Sequence, residues 1–245
     1  MKRKLFYGVF LCVLALIFSC SSEDGLDGKD GIDRINGNDV EDGESGENGE
    51  DGEDGEDGEN GGITHLIISG NITNEEAMQK IEERVGENTQ FIVVQNTTNL
   101  TSIDFSGIAE AVEIDIRNNE VLESISFPDL ETVITHFWIR HNPALISFQT
   151  PLMTSALQII VHNNNNLNKV DIPVLNEIED FRVNNNHTIS AIEMPNLQSA
   201  FNTVDANINI FNNDNLNTIS FPVLSQFGSI DIKQNRSLST IDFSS

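Results

Sequence analysis

Seven residues recur at a common interval. Arg117, Arg140 and His162 follow one another at 23 and 22 residues, and Trp138, Ile160 and Arg182 at 22, with Phe211 further along the chain. Trp and Arg concentrate binding energy at protein surfaces, and apolar groups gathered beside them mark contact. Brought onto one face, the set suits a ligand bearing carboxylates, or a sugar ring stacked on Trp138. It does not suit catalysis. Five histidines, His65, His136, His141, His162 and His187, are scattered. His136 and His141 are near each other in sequence but fall on different parts of the repeat, so no zinc site is expected. No segment has the pattern of a nucleophile elbow. A glycan lyase or hydrolase would need carboxylates clustered with Lys or Arg. The outward strand positions supply Asp115 and Asp231, at opposite ends. The expectation is a non-enzyme with no cofactor and no metal.

The elements that position these residues come from a 22-residue beat. Aligned on Leu100, Leu122, Leu145, Leu167, Ile189, Leu216 and Leu238, the chain steps by 22, 23, 22, 22, 27 and 22 residues. Eight and six places before each anchor stand apolar pairs such as Ile114 and Ile116, or Phe181 and Val183. Three and five places after stand pairs such as Ile125 and Phe127. Alternate apolar residues make a short strand with one face inward. Each repeat therefore carries two strands, closed by a further apolar residue eight after the anchor (Ile108, Leu130, Met153, Leu175, Leu197, Leu224). Five of the six prolines fall six after the anchor, where proline stops a strand because it cannot donate to the next ladder. Asn119, Asn142, Asn164, Asn186, Asn213 and Asn235 fall three before it, with a second set (Asn96, Asn118, Asn163, Asn185, Asn212) one place earlier. Asparagine turns the chain and bonds backbone within a bend.

Such self-similarity predicts a mainly β, parallel β-solenoid of about seven coils, because a lone repeat cannot bury its own apolar face. Seven and five before the anchors lie the outward positions, which hold Arg117, Trp138, Arg140, Ile160, His162, Arg182 and Phe211. The long step between Ile189 and Leu216 places an inserted loop near Gln198–Ala206. Ahead of the coils, His65-Leu66-Ile67-Ile68 predicts an edge strand. A helix follows from an Asn74 N-cap to about Val85, with Ala77, Met78, Ile81 and Val85 on its inner face and Gly86 as its stop. The last coil shows no comparable cap, and an open sheet end invites self-association.

The remaining residues read as an address and a tether. Lys2, Arg3 and Lys4 precede an apolar run, Leu5 to Phe18, too short to span a bilayer. From Gly25 glycine fills almost every third position, and residues 23–62 carry 17 acids against Lys29 and Arg34. Proline is missing from that segment, so a collagen helix is disfavoured and a disordered, self-repelling tether is expected. The net charge of −26 argues against nucleic acid as a partner. With cysteine at positions 12 and 20 alone, no disulfide or cysteine metal site is available to the mature chain.

Two resemblances add to this. Ile17-Phe18-Ser19-Cys20 resembles the lipobox of bacterial lipoproteins. It implies a signal peptide over residues 1–19, cleavage before Cys20 and lipid attachment there, then a lipidated, acidic, collagen-like Gly-X-Y tether over residues 20–62. Glu23 and Asp24 resemble the acidic export signal of surface lipoproteins. They imply a lipid-anchored, surface-exposed protein of a bacterial outer membrane. Within residues 63–245, RNNEVLESISFPDL, NNDNLNTISFPVL and SGNITNEEAMQKIEE resemble receptor L domains and their leucine-rich-repeat relatives. That resemblance implies right-handed coils and a cell-surface binding or adhesion module for an extracellular protein or glycan. The alternatives are a structural envelope spacer and, behind it, a carbohydrate-active β-helix enzyme.

Overall fold

The computed structural model describes residues 64–85, 89–200 and 207–243. The signal, Cys20, the tether and Gly86 lie outside the described residues. One parallel sheet collects β1 (Thr64–Gly70), β2 (Thr89–Thr97), β4 (Glu110–Arg117), β6 (Thr132–Arg140), β8 (Ser155–His162) and β10 (Glu177–Asn184). Two split strands continue it, β12 (Ser199–Ala200) with β13 (Asn207–Phe211), and β15 (Gln226–Phe227) with β16 (Ser229–Lys233). The second strands of the coils form two shorter parallel sheets. One holds β3 (Ser102–Asp104), β5 (Ser124–Ser126) and β7 (Ser147–Gln149). The other holds β9 (Lys169–Asp171), β11 (Ala191–Glu193), β14 (Thr218–Ser220) and β17 (Thr240–Asp242). This is the expected β-solenoid, with about eight levels once β1 and the helix are counted as the first.

The alternation read from the sequence is the burial observed. Ile92, Ile114, Phe137, Ile159, Phe181 and Ile208, with Val94, Ile116, Ile139, Val161, Val183 and Ile210, are wholly buried, as are the anchors from Leu100 to Leu216. The residues directly after the second strands, Phe105, Phe127, Ile172, Met194 and Phe221, join the same core. In that slot Thr150 is also buried, its Oγ1 without a hydrogen-bond partner among the described residues. The break between β7 and β9 falls at this coil.

The two asparagine sets do different work. The inner set is a buried ladder. The Asn142 N–H donates to Asn164 Oδ1 at 3.1 Å, the Asn164 N–H donates to Asn186 Oδ1 at 2.9 Å, and Asn164 Nδ2 donates to the Ile139 carbonyl at 2.8 Å. The outer set takes the left-handed conformation that ends each first-sheet strand, with φ between 54° and 57° at Asn96, Asn118, Asn163, Asn185 and Asn212, and likewise at His141 and Gln234. Asparagine tolerates this region better than most residues because its side chain bonds locally.

The first level differs in detail from expectation. Helix α1 (Asn74–Arg84) is capped by Thr73, not Asn74. The Thr73 hydroxyl accepts from the Glu76 N–H at 3.3 Å and the Glu76 carboxylate accepts from the Thr73 N–H at 2.8 Å, which completes a capping box. Asn74 is used elsewhere. Its Oδ1 accepts from the N–H groups of Thr101 and Ser102 at 2.9 and 3.2 Å. Met78 is exposed, while Ala77 and Ile81 form the buried face. The excess of the long repeat enters inside a first-sheet strand. Glu177 pairs with Ser199 at the spacing of an ordinary repeat, but Asp180 pairs with Asn207 at the spacing of the long one, so the insertion lies between Ala200 and Asn207.

Candidate ligand-binding face

Parallel register sets the outward side chains of the first sheet in rows. One row runs Val93, Asp115, Trp138, Ile160, Arg182, Asn209, Asp231, and the next runs Gln95, Arg117, Arg140, His162, Asn184, Phe211, Lys233. The expected residues therefore share one face. Trp138, Ile160 and Arg182 are consecutive in their row, as are Arg117, Arg140 and His162 in theirs. Asn184 separates Phe211 from His162.

A third row was missed: Phe91, Glu113, His136, Gln158, Asp180 and Asn207. The first-sheet strands begin earlier than period-two reading shows. Ala111, Ala156 and Ile178 are buried three residues before Ile114, Ile159 and Phe181, so the alternation slips by one and hides the extension. In β6 the slip is larger. Val133 pairs with Ala156 and His136 with Gln158, which leaves Ile134 and Thr135 opposite Leu157 alone. This β-bulge accounts for the one repeat that is a residue longer than its neighbours, and Thr135 Oγ1 ties it to the Val112 carbonyl at 2.6 Å. Bulges re-aim the side chains beside them. The residues that follow are His136, Trp138 and Arg140.

These three form a stack along one strand. The His136 ring lies against the Trp138 indole with centroids 4.4 Å apart and planes at 29°, and the Arg140 guanidinium carbon is 4.5 Å from the indole centroid. His136 and Arg140 flank Trp138 in the strand, so each covers one face of the ring. Trp138 Nε1 donates to Gln158 Oε1 at 2.7 Å, and Gln158 Nε2 donates to Asp180 at 2.5 Å.

The cations of the face are already paired. Arg140 donates through Nε and an Nη to the two oxygens of Asp115 at 3.1 and 2.8 Å. Arg117 pairs with the same carboxylate and reaches Gln95 at 2.6 Å. Asp115 was expected to face water, but its side chain is 2 % exposed because the two guanidiniums cover it. Arg182 pairs with Asp180 at 2.8 Å, and His136 Nδ1 lies 3.5 Å from Glu113. The arginines foreseen for a ligand carboxylate are all in ion pairs, although Arg117 and Arg140 share one carboxylate and so are only half neutralised, and the indole faces foreseen for a sugar are covered. His162 meets His141 edge-on at 5.3 Å. Burial first, then the neighbouring His141 and Arg140, lowers its pKa below the usual imidazole value, partly offset by the Asn184 carbonyl.

What remains accessible is the rest of the indole, Ile160, the half-buried Arg117 and Arg140 and the exposed Arg182, with the exposed Phe211 to one side. A shallow hollow lies away from it, beside β1 and α1, lined by Ser69, Asn71, Ile72, Glu76, Gln79, Lys80 and Glu83. Among the described residues no cluster of three or more His, Cys, Asp or Glu is placed to hold a metal ion, and no helix is long and apolar enough to cross a membrane. No protein-family model, no curated protein and no solved structure matches the chain.

Proposed function

We propose that the chain is a lipoprotein of a bacterial outer membrane, anchored through Cys20, whose solenoid is a non-catalytic docking surface for an extracellular protein. The observation that carries this reading is the clamped indole of Trp138 on an open sheet face. A glycan subsite needs a bare aromatic face, and here His136 and Arg140 occupy both. An indole edge among aliphatic and neutralised polar groups suits the core of a protein interface, where aromatic residues and Arg are enriched and unpaired charge is rare. The pairing of Arg117, Arg140 and Arg182 keeps this patch near neutral within a domain that carries 22 acids against 8 bases over residues 63–245.

The test is an array of host-matrix proteins and glycans probed with the intact protein and with Trp138→Ala/Ile160→Ala, a variant that leaves the Asp115 pairing in place. A protein ligand bound at least tenfold more weakly by the variant, with unchanged thermal unfolding, supports the reading. A glycan ligand, or binding indifferent to both substitutions, overturns it. New reducing ends on any bound glycan would move the chain to the enzymatic alternative.

A further inference from the structure

The two ends of the coil stack are finished differently. At the first end, Leu66, Ile68 and Ala77 complete the inner ring and are wholly buried. Asn74 there supplies what a preceding coil would. In the next repeat the N–H groups of Glu123 and Ser124 donate to the Thr101 carbonyl, and the equivalent donors Thr101 and Ser102 bond the Asn74 side chain instead. At the last described coil β16 pairs with β13 and β17 with β14, with no further strand beyond either among the described residues. Its inner ring is open. Ile241 is 49 % exposed in the slot where Ile192 and Ile219 are wholly buried, and Phe227 is 50 % exposed in the slot of the buried Ala200. Ile230, Ile232, Leu238 and Phe243 are only partly covered.

We propose that a second copy of the chain closes this end, its β16 antiparallel to β16 of the first about a twofold axis through Ile232. Side chains directly opposite in an antiparallel pair share a face, so inward residues must meet inward residues. That requirement leaves an axis through an inward or an outward residue. An axis through Asp231 sets the two Asp231 carboxylates against each other. An axis through Ile232 sets Ile232 on its own copy, Asp231 against the partner's Lys233, and Lys233 against the partner's Asp231. Opposite charges stabilise such cross-strand pairs and like charges destabilise them, so charge favours the second register, which alone among the axes through this strand sets Asp231 against Lys233. Within one chain Lys233 Nζ already lies 2.5 Å from Asp231, and the pairing joins two such bridges into a four-charge ring. A head-to-tail contact, which would propagate as a fibre, would set this open ring on an end whose own ring is already closed by Leu66, Ile68 and Ala77. The twofold also carries the first sheet across the axis, so that two copies of the Trp138 face lie on one continuous sheet and a repetitive ligand gains from double engagement.

The test is analytical ultracentrifugation of the full chain over a range of concentrations. A monomer–dimer equilibrium is expected. Asp231→Lys and Lys233→Asp should each raise the dimer dissociation constant at least tenfold. An equimolar mixture of the two variants should dimerise again, because every 231–233 contact between unlike chains is then a cation facing an anion. Unchanged thermal unfolding of each variant separates this from damage to the fold; should either unfold, Ile241→Glu replaces it and is expected to be monomeric. A chain that is monomeric throughout overturns the proposal. So does a dimer indifferent to Lys233→Asp, or a mixture that fails to reassociate.

Discussion

Thr150 is the residue at which this core departs from its own rule. Every other coil places an aliphatic, thioether or aromatic side chain in that slot. Here a hydroxyl is enclosed without a partner among the described residues, and an unsatisfied buried hydroxyl costs more than an isosteric methyl. Thr150→Val should raise unfolding free energy by about 1–2 kcal/mol, measured by denaturant titration. His162 makes the opposite kind of departure, at the surface. Its pKa is lowered in the folded state, first by burial and then by His141, so between that lowered value and about 6.5 the unfolded chain binds more protons. Its contribution to stability is full above about pH 6.5 and falls as the pH drops through that window. Acidification from neutrality should therefore lower the melting temperature of the wild type, and His162→Gln should flatten that slope. An unchanged slope would remove His162 as its source.

At the scale of the element, each inner asparagine adds a side-chain rung between one coil and the next, beside the strand pairing. Replacing Asn164 by Ala strands the Asn142 N–H and the Ile139 carbonyl inside the stack. The expected cost is about 2–5 kcal/mol, one buried unsatisfied group at each. The same change at Asn235, a part-buried rung beyond which no further rung is described, should cost less. Equal losses at the two sites would show that the ladder is not what binds the coils. Much of this element was readable in advance, because the asparagines stand at fixed places in a repeat. The N-cap lies one residue earlier than expected. Thr73 and Asn74 are both good caps, and the decision went to Thr73 because the Asn74 side chain fits the unpaired donors of the neighbouring coil.

At the scale of the molecule, a solenoid is quasi-one-dimensional, so length and phase separate cleanly. Deletion of one whole repeat, positions 146–167, joins Leu145 to Asn168 and leaves every inward slot inward. That protein should fold, with reduced stability and the same strand signature by circular dichroism. Deletion of positions 146–166, one short of a repeat, leaves a 23-residue step without the bulge that absorbs the extra residue in β6, and should cost clearly more stability than the whole-repeat deletion. If both deletions fold alike, the repeat is not the unit of this structure.

The beat of leucines, the paired aliphatics and the proline and asparagine slots determined by themselves that the chain coils, which residues fill the core, and that Arg117, Trp138, Arg140, Ile160, His162, Arg182 and Phe211 share a face. Period and burial are local properties of a chain, and both can be read along it. The tertiary structure alone decided what that face is. Strands brought into register set Asp115 beneath two arginines, Arg182 on Asp180, and His136 and Arg140 on either side of an indole. Whether a charge is free or spent depends on its neighbours across the sheet, a full repeat away in sequence, and on a bulge that slips the alternation by one.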